Sequence, residues 1–179
     1  MAVMEAIATT HLEDDATLVT FSSIPATYEH LQLRMSVRST KVSTHGYENG
    51  RLVINGDGDA TANNYSWHAM TAGGTSVGTS IVAAADRTYS MWLTNTATQD
   101  YGFIVVDIYD YANTNKNTTL MDVEGQTGLT TAGVFSPGVA FTSILWDSTA
   151  AVTSIAMAVR NGTNFVRGSE FTLYGLNSA

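Results

Sequence analysis

Cysteine is absent from this 179-residue chain, and lysine occurs only at Lys41 and Lys116. Without cysteine there is no disulfide framework and no thiolate chemistry. Eight Lys and Arg stand against sixteen Asp and Glu, a formal net charge of −8. A nucleic-acid binder needs clustered cations to displace counterions, and an anionic membrane surface asks for the same. Neither is an expected partner. No run approaches the roughly 20 apolar residues of a membrane-crossing helix. Residues 1–5 lack the basic region and the apolar run of a secretory signal. The three Asn-x-Ser/Thr sequons at Asn64, Asn117 and Asn161 are therefore expected to be products of an Asn- and Thr-rich composition.

Charged residues make up only 13% of the chain, about half the usual share. Thr, Ser, Asn and Gly stand in their place, which suits strands and turns better than helices. Hydrophobic residues reach 44%, enough for a packed core and too many for a disordered chain. The length suits a single domain. The expected division is an N-terminal arm or edge strand over residues 1–15 and one β-domain over residues 16–179.

The dominant period is two. Leu31, Leu33, Met35 and Val37 alternate with Gln32, Arg34, Ser36 and Arg38, the pattern of a half-buried strand. Ile155, Met157 and Val159 repeat it, as do Phe171 and Leu173. Residues 103–108 form a continuous β-branched and aromatic run, which predicts a central strand covered on both faces. Further strands are expected over residues 17–24, 51–54, 65–70, 89–93, 118–123, 133–135 and 142–146. Asn49-Gly50, Asn55-Gly56 and Asn161-Gly162 predict tight hairpin turns. Gly73-Gly74 and Pro137-Gly138 punctuate two more junctions, and Pro25 is expected to end the strand before it. Helix signals are thin, at most one turn over residues 81–87. Many short strands separated by turns predict an all-β fold, an antiparallel β-sandwich of jelly-roll type.

Motifs for chemistry are scarce. Asn55-Gly56-Asp57-Gly58-Asp59 offers oxygen ligands at alternate positions, as calcium prefers, but Ser66 stands where such a loop would need its acidic end. A hairpin turn with solvated Asp57 and Asp59 is the expected reading, and no cofactor is expected. His11, His30, His45 and His68 show no metal-ligand spacing. There is no Gly-x-Ser-x-Gly elbow, so no catalytic residues are assigned and the chain is not expected to be an enzyme. Tyr65 and Trp67 share one strand face next to Asn64. Exposed rings beside Asn and Asp hold sugars in some β-sandwiches, so these three are the candidate ligand or interface residues. Core packing is the competing use of the two rings. At the N-terminus, Met1, Val3, Met4 and Ile7 lie in a segment whose one charge over residues 1–12 is Glu5. Such a segment is expected to dock as a strand or arm on a neighbouring subunit or on the surface of a larger assembly, an integral core strand being the competing use.

Two longer segments carry a resemblance. One is Phe21-Ser22-Ser23-Ile24-Pro25-Ala26-Thr27-Tyr28-Glu29-His30-Leu31-Gln32-Leu33. The other is Asn164-Phe165-Val166-Arg167-Gly168-Ser169-Glu170-Phe171-Thr172-Leu173-Tyr174-Gly175-Leu176. With Asn55-Gly56-Asp57 and Asn63-Asn64-Tyr65-Ser66 between them, the chain resembles a group of small virion proteins of tailed bacteriophages. The resemblance implies a jelly-roll-like particle component located in the virion, without enzymatic activity. It implies other virion proteins, capsid or tail, as partners, and a homo-oligomer. A capsid-decorating cement protein is the expected role. A tail-fibre or receptor-binding module for host-surface carbohydrate is the alternative.

Overall fold

The structure, a computed structural model, describes residues 3–41, 47–58, 63–73, 76–85, 88, 91–94, 100–126, 138–160 and 164–177. These form twelve strands: β1 (Met4–His11), β2 (Leu18–Phe21), β3 (His30–Val37), β4 (Tyr47–Ile54), β5 (Tyr65–Gly73), β6 (Ser76–Ala85), β7 (Met91–Thr94), β8 (Gly102–Tyr109), β9 (Thr118–Gln126), β10 (Gly138–Trp146), β11 (Ile155–Val159) and β12 (Glu170–Leu176). No helix occurs among the described residues. An eight-stranded sheet has the order β1-β12-β3-β8-β9-β10-β5-β6, and a four-stranded sheet the order β2-β11-β4-β7. The strands within each sheet pair antiparallel.

Setting β5, β6, β9 and β10 aside leaves β1-β12-β3-β8 and β2-β11-β4-β7. That is the eight-stranded jelly roll, the sandwich the alternation predicted. The other four strands are two insertions, a β5–β6 hairpin after β4 and a β9–β10 pair after β8. They pair with one another through β10 and β5 and extend only the larger sheet.

The core forms where period two says it should. Leu31, Leu33, Met35 and Val37 point inward, opposite Ile155, Met157 and Val159 of the smaller sheet, and all seven are buried. On β8 the partners of Leu31, Leu33 and Met35 are Ile108, Val106 and Ile104. A slip of one residue would turn every one of these outward, so the register is tightly specified.

Several local expectations change. Residues 81–85 continue strand β6 and form no helical turn, since pairing with β5 overrides the weak preference of an alanine run. Asn49-Gly50 makes no hairpin turn but lies inside β4. There the missing side chain of Gly50 lets Leu93 pack close, and a Cβ would sit 3.3 Å from it. Asn55 and Gly56 do turn the chain, with φ of 51° and 75°, but they lead from the smaller sheet to the larger and close no hairpin. Strand β2 stops at Phe21, four residues short of Pro25. Strand β8 is central, yet only one of its faces is covered. Asp59, Gly74, Tyr89, residues 133–135, Pro137 and Asn161-Gly162 lie outside the described residues.

Residues 4–11, read as an arm or an edge strand, lie on the molecule's own sheet as β1, paired with β12. Ile7 packs against the core while Val3 and Met4 are exposed. Met1 lies outside the described residues.

The corner after Ile24 is held by a tyrosine from elsewhere. The Tyr111 hydroxyl donates to the Pro25 carbonyl and accepts the Tyr28 N–H at 3.3 Å. The Tyr28 ring lies over Gly175, where any Cβ would run into it. Replacing Tyr111 by Phe leaves both backbone groups without a partner and is expected to cost about 1–3 kcal/mol. Urea unfolding measures this, and an unchanged midpoint would count against the staple.

Candidate docking face

Alternation turns every second residue of the larger sheet away from the core, and the two halves of that outer face differ. On β12, β3 and the near side of β8 the face is polar and cross-linked. Gln32 Nε2 donates to Asp107 Oδ1 at 2.7 Å, and Arg34 Nε donates to Gln32 Oε1 at 2.7 Å. The Arg34 guanidinium also sits 5.0 Å from the centre of the Tyr174 ring.

Across β8 and the inserted strands the face is apolar. Successive strand partners form one row of Phe103, Gly125, Val139, Ala72 and Val77. A second row is Val105, Val123, Phe141, Met70 and Thr79. Phe103, Val123, Val139, Phe141, Met70, Val77 and the adjacent Ile81 are all exposed. A shallow hollow of about 690 Å³ runs among His68, Met70, Thr79, Ile81, Phe141 and Ser143. The glycine in the first row is structural, because the Phe103 ring lies over Gly125 where a side chain would begin. A contiguous apolar surface of this kind marks an interaction site more often than chance exposure does.

The residues singled out from sequence sit elsewhere. Tyr65 and Trp67 do share a strand face, but it is the inner one. Tyr65 is 1% exposed, and its hydroxyl accepts the Ile54 N–H at 2.9 Å. Burial pushes its phenol pKa upward. Its ring face is closed to a sugar, which corrects the expectation of a stacking surface there. Trp67 is half-buried against the core.

Asp57 is not a solvated turn residue. Both its oxygens accept from Asn64 Nδ2, at 3.0 and 2.8 Å, and Oδ2 also accepts from Trp146 Nε1 at 2.7 Å. Asn64, proposed as a ligand residue, is thus a partner of Asp57. Its neighbour Asn55 clamps the loop before β11. Asn55 Oδ1 accepts from the backbone N–H groups of Thr153 and Ser154 at 2.8 and 3.0 Å, and Nδ2 donates to the Ala151 carbonyl at 2.8 Å. The Asn-Gly-Asp segment therefore ties the two sheets and their loops together. Among the described residues no cluster of three or more His, Asp or Glu could hold a metal ion.

Sequence reasoning missed the buried acids of β9. Asp122 and Glu124 alternate with Met121 and Val123, which places both carboxyls on the inner face. Asp122 is 1% exposed, and Thr142, its partner on β10, is buried too. Neither Asp122 oxygen has a well-formed hydrogen bond. Burial pushes its carboxyl up to about 6, and Thr142 offsets that only in part. The acidic residues at positions 122 and 124 stood in register with the apolar Leu120, which was the available signal.

No family model and no curated protein matches the chain. Among solved structures it is similar to scytalido-glutamic peptidase, at 12% identity, 90% of this chain, 75% of that one and a TM-score of 0.30. It is similar to the exoplasmic/lumenal domain of VIP36, crystallised with calcium and Man3GlcNAc, at 9% identity, 98% and 84% coverage and a TM-score of 0.31. A protein of unknown function from Shewanella oneidensis MR-1 matches at 9% identity, 99% and 81% coverage and a TM-score of 0.20. Likenesses at this level carry no functional argument.

Proposed function

We propose that the chain is a non-enzymatic structural protein of a tailed-phage virion, a decoration protein that docks on the capsid shell by the outer face of its inserted strands. The carrying observation is the apolar half of that face. A jelly roll folds on its inner faces, so burial in the core does not account for the exposed Phe103, Phe141, Met70 and Val139. They suit a partner surface. The face is also almost free of charge in a chain of net charge −8, so it can approach a shell without repulsion. Jelly rolls serve in capsids and in lectins alike, and the resemblance of the Phe21 and Asn164 segments favours a virion setting, head or tail. Many copies, each weakly held, would stiffen a shell together. The carbohydrate-binding alternative would need a surface other than Tyr65.

Two measurements test the reading. Quantifying the chain on purified virions should find many copies spread over the head. A few copies at one vertex would mean a tail role, and absence from the particle would overturn the proposal. Replacing Phe141 by Glu should abolish binding to shells while the protein still folds, since that ring lies outside the core at 43% exposure. Binding that survives the change would free this face of the role.

A further inference from the structure

The outer edges of the two sheets are protected unequally. Among the described residues strands β2 and β7 span four residues each. Strand β1 is broken by a bulge between Ala6 and Ala8 and carries Glu5. Short length, bulges and charge are the usual guards against edge-to-edge pairing. Strand β6 has none of them over most of its length. It is the longest strand, ten residues, with no charged residue and no proline. It pairs regularly with β5 from Ser76 to Val82, and only beyond that does a bulge with Ala84 at φ 67° disturb it. Most of its residues are exposed, on both faces. On its far side it has no strand partner among the described residues. The outward N–H and C=O groups of that edge pair with no other strand among the described residues.

We propose that this edge pairs antiparallel with β6 of a second copy of the chain. The argument is independent of the virion reading, since it rests on the edge and not on the docking face. Symmetry narrows the geometry. Two identical strands running antiparallel are related by a two-fold axis normal to the sheet, which returns each face onto itself. The axis must then pass midway between a residue and its own copy. Centring the regular stretch puts Thr79 opposite the partner's Thr79. Val77 then faces the partner's Ile81, and Ile81 the partner's Val77.

Those two side chains are the most exposed large apolar residues among the described ones, at 76% and 66%. The pairing brings together the residues with most to gain, as β-branched cross-strand pairs. This self-complementary register selects a second copy as the occupant, and charge permits it. Two chains of net charge −8 repel, and they can meet at close range only where both surfaces are neutral, as β6 is and β1 is not. The two-fold axis also keeps both apolar half-faces on one side, so the dimer presents a single extended docking surface.

The absence of cysteine makes a direct test clean. In Thr79→Cys the new thiols are the only ones in the protein and face each other across the axis. Cβ atoms of directly opposed strand residues lie about 4.5–5.5 Å apart, close to disulfide reach. Under mild oxidation the full chain should form a covalent dimer much faster than Ser22→Cys, an exposed control beyond β2. Sedimentation of the unaltered protein should show a monomer–dimer equilibrium. Thr79→Lys and Thr79→Glu should each be monomeric with unchanged melting temperatures, and mixing them should restore a dimer. Unaltered protein that stays monomeric at high concentration, or crosslinking no faster than the Ser22 control, would overturn the proposal. So would a Thr79→Lys protein that still dimerises. Phe141→Glu should still dimerise, so loss of shell binding and loss of pairing are read separately.

Discussion

Asp122→Asn is expected to stabilise the protein at pH 8 and to remove much of its pH dependence between pH 4 and 7. The cause is the burial of the Asp122 carboxyl, raised from an ordinary 3.8 to about 6. In the unfolded chain this group ionises near its ordinary value. Between the two values the folded protein holds a proton that the unfolded chain has released. Stability from this group is therefore fully present below pH 4 and is lost as pH rises through 6. A difference of about two pKa units corresponds to about 3 kcal/mol. Above pH 6 the protein carries a buried carboxylate at that cost, and the neutral amide of Asn carries no cost of ionisation. Urea unfolding at pH 4 and pH 8 should give the unaltered protein the larger drop. Equal drops in both proteins would show that Asp122 is not ionising in the folded interior.

The second large effect is expected at Asp57. Asp57→Ala strips acceptors from the Trp146 indole N–H and the Asn64 amide at once, and Trp146 is almost fully buried. Leaving such donors unsatisfied costs about 1–3 kcal/mol each. The sum should lower the melting temperature by roughly 5–20 °C for a chain of this size. Even Asp57→Asn should be costly, because one of its two acceptor oxygens becomes a donor facing the Asn64 amide. A calcium site in the same segment predicts something different, a melting temperature raised by calcium and a rise lost in Asp57→Asn. Adding calcium to the unaltered protein separates the two, and the staple predicts no change.

How much of this was legible in the sequence depends on what each residue's signal encodes. Strand β3 was readable because Leu31 to Val37 alternate strictly, and a half-buried strand leaves that trace in any context. Strand β6 was not, since Ala83, Ala84 and Ala85 carry almost no intrinsic strand preference and are extended only because β5 lies beside them. Asn49-Gly50 and Asn55-Gly56 are the same dipeptide with opposite outcomes. One turns and one packs under Leu93, a difference set by a neighbour more than 40 positions along the chain. The run over residues 103–108 shows the limit most clearly. Its apolar residues on both faces implied cover on both, and sequence has no means of recording that one cover is missing. The docking face was thus written in the chain, as Phe103, Val123, Val139 and Phe141, but its exposure follows from topology. The proposed sugar-stacking use of Tyr65 failed for the converse reason. Period two placed Tyr65 and Trp67 together on a face without saying which face.

The pairing of the two insertions has a consequence for the order in which the molecule assembles. Strands β5 and β6 leave the ribosome early, yet β5 is held to the rest of the sheet through β10, which ends at Trp146. Strand β10 in turn needs β9 and β8 in place. The early hairpin therefore waits, with its edge and its apolar side open, for about 60 more residues to be made and laid down. The stretch synthesised first in that half of the sheet is the stretch placed last.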